Sequence, residues 1–259
     1  MPMILSLLLY ATIIATTAFA ITWAISTKIK NYGLLDVTWS YGVAILSPFY
    51  ALLTPGCSPR KWMITALGVA WSLRLGTYIL LRVLRHHPKE DQRYETLRAS
   101  WPSPFKFLLF FELQALVAVI FSLPFLFTAL NPNPTLSTLE IFALSLALLA
   151  LIGETLADLQ MQSFKRLPSS HLQVCQKGLW YYSRHPNYFF EALLWFAFAL
   201  ASLHSPHGWI ALLCPLLMLY FLLKVTGIPL TEEHAVRSKG DAYRQYQRTT
   251  SPFIPWFKK

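Results

Sequence analysis

Residues 1 to 27 carry no charged side chain, and several more apolar stretches of similar length follow. A helix needs about 20 apolar residues to cross a bilayer. Hydrocarbon offers the backbone no water, so each run must close its own hydrogen bonds as a helix. This feature sets the fold class: an all-α, polytopic integral membrane helical bundle. Composition agrees, with 13% charged residues in this chain against about 25% in a soluble domain.

The runs predict about seven transmembrane helices, near 3–27, 36–55, 61–84, 105–129, 136–163, 188–204 and 208–228. The chain reads as a single transmembrane domain over 1–259, with a segment 229–259 after the last span. The stretch TTAFA ends like a secretory cleavage site, but no positive region precedes it. The first run therefore reads as a retained helix. Cys57, Cys175 and Cys214 show no Cys-x-x-Cys spacing, so neither a disulfide framework nor a metal site is expected.

Basic residues predict the orientation. If the seven spans alternate, nineteen of the 22 Lys and Arg fall on one side, while Arg60 and Lys61 fall on the other and Arg74 lies within a span. The positive-inside rule makes the basic side cytoplasmic, with the N-terminus out and the C-terminus in. The expected setting is a bacterial inner membrane or the endoplasmic reticulum, with the functional face toward the cytoplasm.

Polar groups recur inside these runs at helical spacing. Arg74, Tyr78, Arg82 and Arg85 share one face of span three, and Glu154, Asp158, Gln162 and Lys165 share one face of span five. Asn187 and Glu191 are one turn apart in span six, Asp36 opens span two, and Glu112 lies in span four. Charges at membrane depth cost roughly 2.5–3.5 kcal/mol each and point to function. The pattern predicts a polar cavity open to the cytoplasm. Arg82, Arg85, Lys165, Arg184, Arg237 and Arg244 surround its mouth, with Tyr188, Tyr243 and Tyr246 among the aromatics. Guanidinium forks match phosphate oxygens, so this suits a nucleotide-bearing cofactor. No G-x-G-x-x-G after a strand and no Walker sequence occurs, so the nucleotide would bind within the helical bundle.

The segment GLWYYSRHPNYFFEALLWFAFAL from Gly178 resembles the signature of the DUF1295 multipass membrane family, itself similar to the steroid 5-alpha-reductase C-terminal domain. NYGLLDVTW, WSLRLGTYILLR, ELQALVAVIFSLP and YRQYQRTTSPFIPWF extend the resemblance over nearly the whole chain. The resemblance implies an NADPH-dependent reductase. It would act on a lipophilic substrate, at a carbon–carbon double bond conjugated to a carbonyl. It places Asn187 and Glu191 at the nicotinamide end, with Arg184, His185 and Tyr188 beside them. Arg85, Asp158 and Lys165 match polar contacts on neighbouring helices, and Tyr246 with the basic residues before it, Arg237 and Arg244 among them, the adenosine side; intramembrane Arg74 is a further candidate cofactor contact. Two departures stand out. Phe190 occupies a position usually taken by a small residue, and Trp71 stands where the reductases' substrate-activating tyrosine would align. Tyr78 is therefore the candidate general acid, with Asp36 or Glu112 as its polariser.

The Arg-His-Pro-x-Tyr element also resembles membrane methyltransferases that use S-adenosylmethionine and a Glu-Glu pair, here Glu232-Glu233. A non-enzymatic lipid-binding protein is the third reading. The expected partners are the lipid bilayer and a lipophilic small molecule, with no nucleic acid.

Overall fold

The computed structural model of the chain describes residues 2–101, 103–171 and 173–258. Among these residues no strand forms, and the one β-type pairing is an isolated parallel bridge between Ser183 and Ser251. Internal packing divides the chain into two compact units, Met1–Leu136 with Ser202–Ala211 and Ser137–Ala201 with Leu212–Lys259.

The first unit carries α1 (Pro2–Ile29), α2 (Leu34–Leu53), α3 (Ser58–His86), α4 (Gln92–Ser100), α5 (Pro104–Phe121) and α6 (Leu123–Leu130). α1 buries a stripe of Leu7, Ala11, Ala15 and Phe19, four residues apart. The two alanines let backbones come close where α1 packs on α2 and α5. Leu5, Leu9, Ile13, Ile21 and Ile25 on the same helix stay exposed. An apolar face of that extent belongs in hydrocarbon rather than water.

α2 packs along α3, and side chains replace what small residues leave open. A Cβ on Gly68 would lie 2.4 Å from the Phe125 ring, and one on Gly76 would lie 2.8 Å from the Tyr41 ring. The Ser72 hydroxyl donates to the Ser40 carbonyl at 2.5 Å and accepts from the Ala44 amide at 3.0 Å. Arg60 and Lys61, expected as loop charges, are buried. Arg60 donates to the carbonyls of Asn131 (3.3 Å), Asn133 and Thr135 (2.5 Å), and Lys61 donates to Thr54 O at 2.8 Å. They satisfy turn carbonyls that a bilayer boundary would otherwise leave without donors.

The second unit carries α7 (Thr138–Lys165), α8 (Leu179–Tyr182), α9 (Pro186–Ser202), α10 (Leu213–Tyr220), α11 (Ile228–Lys239) and α12 (Asp241–Thr249). α7 starts on a capping box: the Ser137 hydroxyl accepts from Glu140 N–H, and the Glu140 carboxylate accepts from Ser137 N–H. α10 runs into a π-turn at Phe221–Val225.

A helix stands at each of the seven predicted spans. Among the described residues five segments are long and apolar enough to cross a membrane: Pro2–Ile29, Ser58–His86, Pro104–Leu130, Thr138–Lys165 and Gly208–Lys239. The helices of spans two and six fall outside that set. α2 opens with Asp36 and holds Pro48, and α9 has only 17 residues. The fourth span is two helices, α5 and α6, which meet at Ser122 just before Pro124. Proline has no amide hydrogen to continue the ladder.

Candidate functional site

In the second unit the polar sequence before α9 is kept out of the helix by Pro186. The residue before a proline avoids the helical region, and proline itself suits the first helical position. Ser183 is extended, at φ −142° and ψ 147°. Arg184 and His185 are buried, with side chains 8% and 3% exposed, and both reach Glu232 of α11. Arg184 Nε donates to Glu232 Oε1 at 2.6 Å, and His185 Nε2 lies 3.2 Å from the same oxygen. Gln247 of α12 donates to Glu232 Oε2 at 2.9 Å, and Tyr243 donates to Oε1 at 3.4 Å. Arg184 Nη1 donates to the carbonyls of Gln247 (2.9 Å) and Thr250 (2.6 Å), and its amide donates to Ser251 O at 2.9 Å.

This is a buried clasp between the 183–185 segment and the two C-terminal helices. Burial, and then the charge of Glu232, pushes the Tyr243 phenol well up. Burial does the same to Tyr246. Both stay protonated donors at neutral pH. Tyr246 donates to the carbonyls of Trp180 and, at 3.1 Å, Ser183. Arg184 and Tyr246 are thus turned into the protein, while Glu233 makes an exposed pair with Arg237. Glu232 and Glu233 have different partners, Arg184 and Arg237.

A second polar group begins in the first turn of α9. Asn187 Nδ2 donates to Asp158 Oδ1 on α7 at 3.2 Å. A carboxylate oxygen accepts, so the amide nitrogen faces it and the amide oxygen points away. That Oδ1 is buried and has no hydrogen-bond partner among the described residues. Such an acceptor costs about 1–3 kcal/mol and calls for a donor. Glu191, buried a turn further on, accepts from Trp195 Nε1 at 2.8 Å. The α7 stripe runs from buried Glu154, through half-buried Asp158 and Gln162, to exposed Lys165. Phe190 fills the space over Gly153, where a Cβ would lie 2.4 Å from its ring. The His185 and Tyr188 rings stack with centroids 5.3 Å apart, and Tyr188 shares a hydrogen with Thr231 at 3.1 Å.

The first unit holds the other residues expected at a site. Arg74 and Tyr78 are half-buried on α3, Arg85 is exposed near its end, and Glu112 is half-buried on α5. Asp36 accepts from Arg93 Nη2 and from Tyr94 OH, both at 2.8 Å. Burial and the charge of Asp36 raise the Tyr94 phenol, so it remains a donor. In the second unit Arg244 pairs with Asp241 at the surface.

Asp91 caps α4 by accepting from Arg93 N–H at 3.0 Å. Burial works to raise its pKa, but the Arg93 hydrogen bonds and charge, with Arg82 beyond, hold it below the usual value near 3.8. A depressed folded pKa adds stability above the unfolded value, which is lost as pH falls through the folded one. Asp91 should therefore contribute a stability loss below pH ~4 to the acid limb of thermal unfolding, and Asp91→Asn should shrink that limb. An unchanged acid limb in Asp91→Asn would contradict this assignment.

The sequence did not identify the partners of Arg184. Gln247 carried no signal, and Glu232 stood out only for its neighbour Glu233. Arg184 and Glu232 are 48 residues apart, which leaves no periodicity to read. Against known proteins, the family described as "Protein of unknown function (DUF1295)" matches residues 22–250. No curated protein and no solved structure matches.

Proposed function

Since this chain belongs to the DUF1295 family, we propose from the residues of its second unit that it is a membrane-embedded NADPH-dependent reductase of a lipophilic substrate. The observation that carries this reading is Asn187. Its nitrogen is committed to Asp158, and its oxygen is a buried acceptor without a donor among the described residues. The carboxamide N–H of a nicotinamide ring is a neutral donor of the kind this oxygen lacks. Asn187, Asp158 and Glu191 would hold that end of the cofactor. Exposed Lys165, Arg237 and Arg244 would offer cations to its phosphates. Bound NADPH supplies hydride, which suits an electron-poor double bond conjugated to a carbonyl.

Arg184, His185 and Tyr246 then support the site from behind, because their side chains are spent on protein partners. Tyr78, the expected general acid, stands in the first unit; of its two expected polarisers there, Asp36 already serves Arg93 and Tyr94, which favours Glu112. The methyltransferase reading relied on a Glu-Glu pair and draws less support, since Glu232 faces inward and Glu233 faces solvent.

The test is cofactor identity. The full chain in detergent should gain thermal stability and show tryptophan quenching with NADPH, and show neither with S-adenosylmethionine. Binding of S-adenosylmethionine without NADPH would overturn the reductase reading.

A further inference from the structure

In the first unit a cleft of about 620 Å³ opens where α1 ends, between Ile29 and Lys30 on one side and the segment from His87 to Ala99 on the other. We propose that this cleft binds the phosphate headgroup of an anionic phospholipid, held by Lys30 and Lys89, with an acyl chain lying along the last turns of α1.

The charges favour an anion. Of the two acids lining the cleft, Glu90 is only 8% exposed and already satisfied. It accepts from the Tyr32 amide at 2.5 Å and from Arg98 at 2.9 Å. Lys30 and Lys89 are exposed and make no ion pair among the described residues. They outnumber the one acid left open, Glu95. An ammonium is a compact charge that suits a phosphate oxygen without needing a fork.

The backbone of Lys30 is a second, independent observation. Its φ is 56°, in the left-handed region. That conformation is costly for any residue with a Cβ, and helices that end this way usually place glycine there. Strain of this kind collects at functional positions. A lysine kept in a glycine's place is explained if its side chain is used.

The third observation separates a lipid from a soluble phosphate compound. Ile21, Ile25 and Ile29 are 56%, 48% and 39% exposed and recur every fourth residue. They form one apolar stripe on a membrane-length helix and end at the cleft. A soluble anion has no use for that stripe, whereas an acyl chain lies along it while its headgroup meets the lysines.

The experiment uses the full chain in detergent with dioleoylphosphatidylglycerol, dioleoylphosphatidylcholine or inorganic phosphate added. Native mass spectrometry reads retained lipid, and thermal unfolding reads stabilisation. Phosphatidylglycerol should be retained and raise the midpoint, and phosphatidylcholine should not. Lys30→Gly and Lys89→Gln should each weaken phosphatidylglycerol retention about fivefold. Lys28→Gln, exposed on the same helix end but outside the cleft, should leave it unchanged. Without lipid, Lys30→Gly should be at least as stable as the parent, because glycine relieves the left-handed backbone. An equal loss in Lys28→Gln would overturn the proposal in favour of diffuse surface attraction. Equal retention of phosphatidylcholine would also overturn it. So would stabilisation by inorganic phosphate that matches the lipid's and disappears in Lys30→Gly.

Discussion

Glu232→Ala is expected to destabilise the protein by about 3–5 kcal/mol, the range for breaking a buried ion pair from one side. At roughly 2–4 °C per kcal/mol for a chain of this size, the thermal midpoint should fall by about 10 °C. The cost comes from what is left behind. Arg184 would keep its charge with its side chain 8% exposed, and Gln247 would lose its acceptor. His185 would lose its partner as well. Glu232→Gln retains an acceptor oxygen and should cost less. Glu233→Ala, one residue along in an exposed pair, should stay within about 1 kcal/mol of the parent. Removing both Arg184 and Glu232 should cost less than the sum of the single changes, since the two share one interaction. Thermal unfolding in detergent checks each of these variants, the Arg184 single change included. A loss below about 1 kcal/mol in Glu232→Ala would mean that the carbonyls of Gln247 and Thr250 satisfy Arg184 alone.

Asn187→Ala should weaken NADPH binding about tenfold, as expected for losing one or two neutral hydrogen bonds at a buried site. Its effect on stability without cofactor should be small. The substitution removes an oxygen that the fold leaves without a donor, which offsets the lost bond to Asp158. That split distinguishes a ligand-facing residue from a merely structural one. A structural asparagine would lower stability and leave the dissociation constant of the folded protein alone. Asn187→Asp should weaken binding further, because it brings a second carboxylate to the Asp158 side chain. The measurement is a fluorescence titration with NADPH beside a thermal unfolding curve. Unchanged affinity in Asn187→Ala would remove this residue from the cofactor site and take with it the observation on which the reductase reading rests.

Some of this site is written in local spacing. Asn187 and Glu191, four residues apart, had to share a face of any helix that held them. The α7 stripe similarly arranged Glu154, Asp158, Gln162 and Lys165 in order of depth. Arg60 shows where such reading stops. Next to Pro59 at the start of an apolar run, it looks like a loop charge on the outer side. In the fold it is buried, because the turn at 131–135 returns over it and presents carbonyls that need a donor. Asp36 is similar. The sequence offers it as one of two candidate polarisers for Tyr78 and gives no sign of its partners, because α4, a helix in a loop with no apolar signal, brings Arg93 and Tyr94 onto it.

The sequence by itself determined that this chain crosses a membrane as helices, where those helices fall, and which polar residues share a helical face. Those properties follow from hydrocarbon's refusal of unpaired backbone and from the fixed rise and turn of a helix, both local. Only the tertiary structure decided that Arg184 clasps Glu232, that Asn187 keeps one buried oxygen without a donor among the described residues, and that Lys30 is bent into a glycine's conformation at the rim of a cleft. Each of these depends on which distant segment the chain path returns to a given side chain, and no periodicity in the sequence encodes that path.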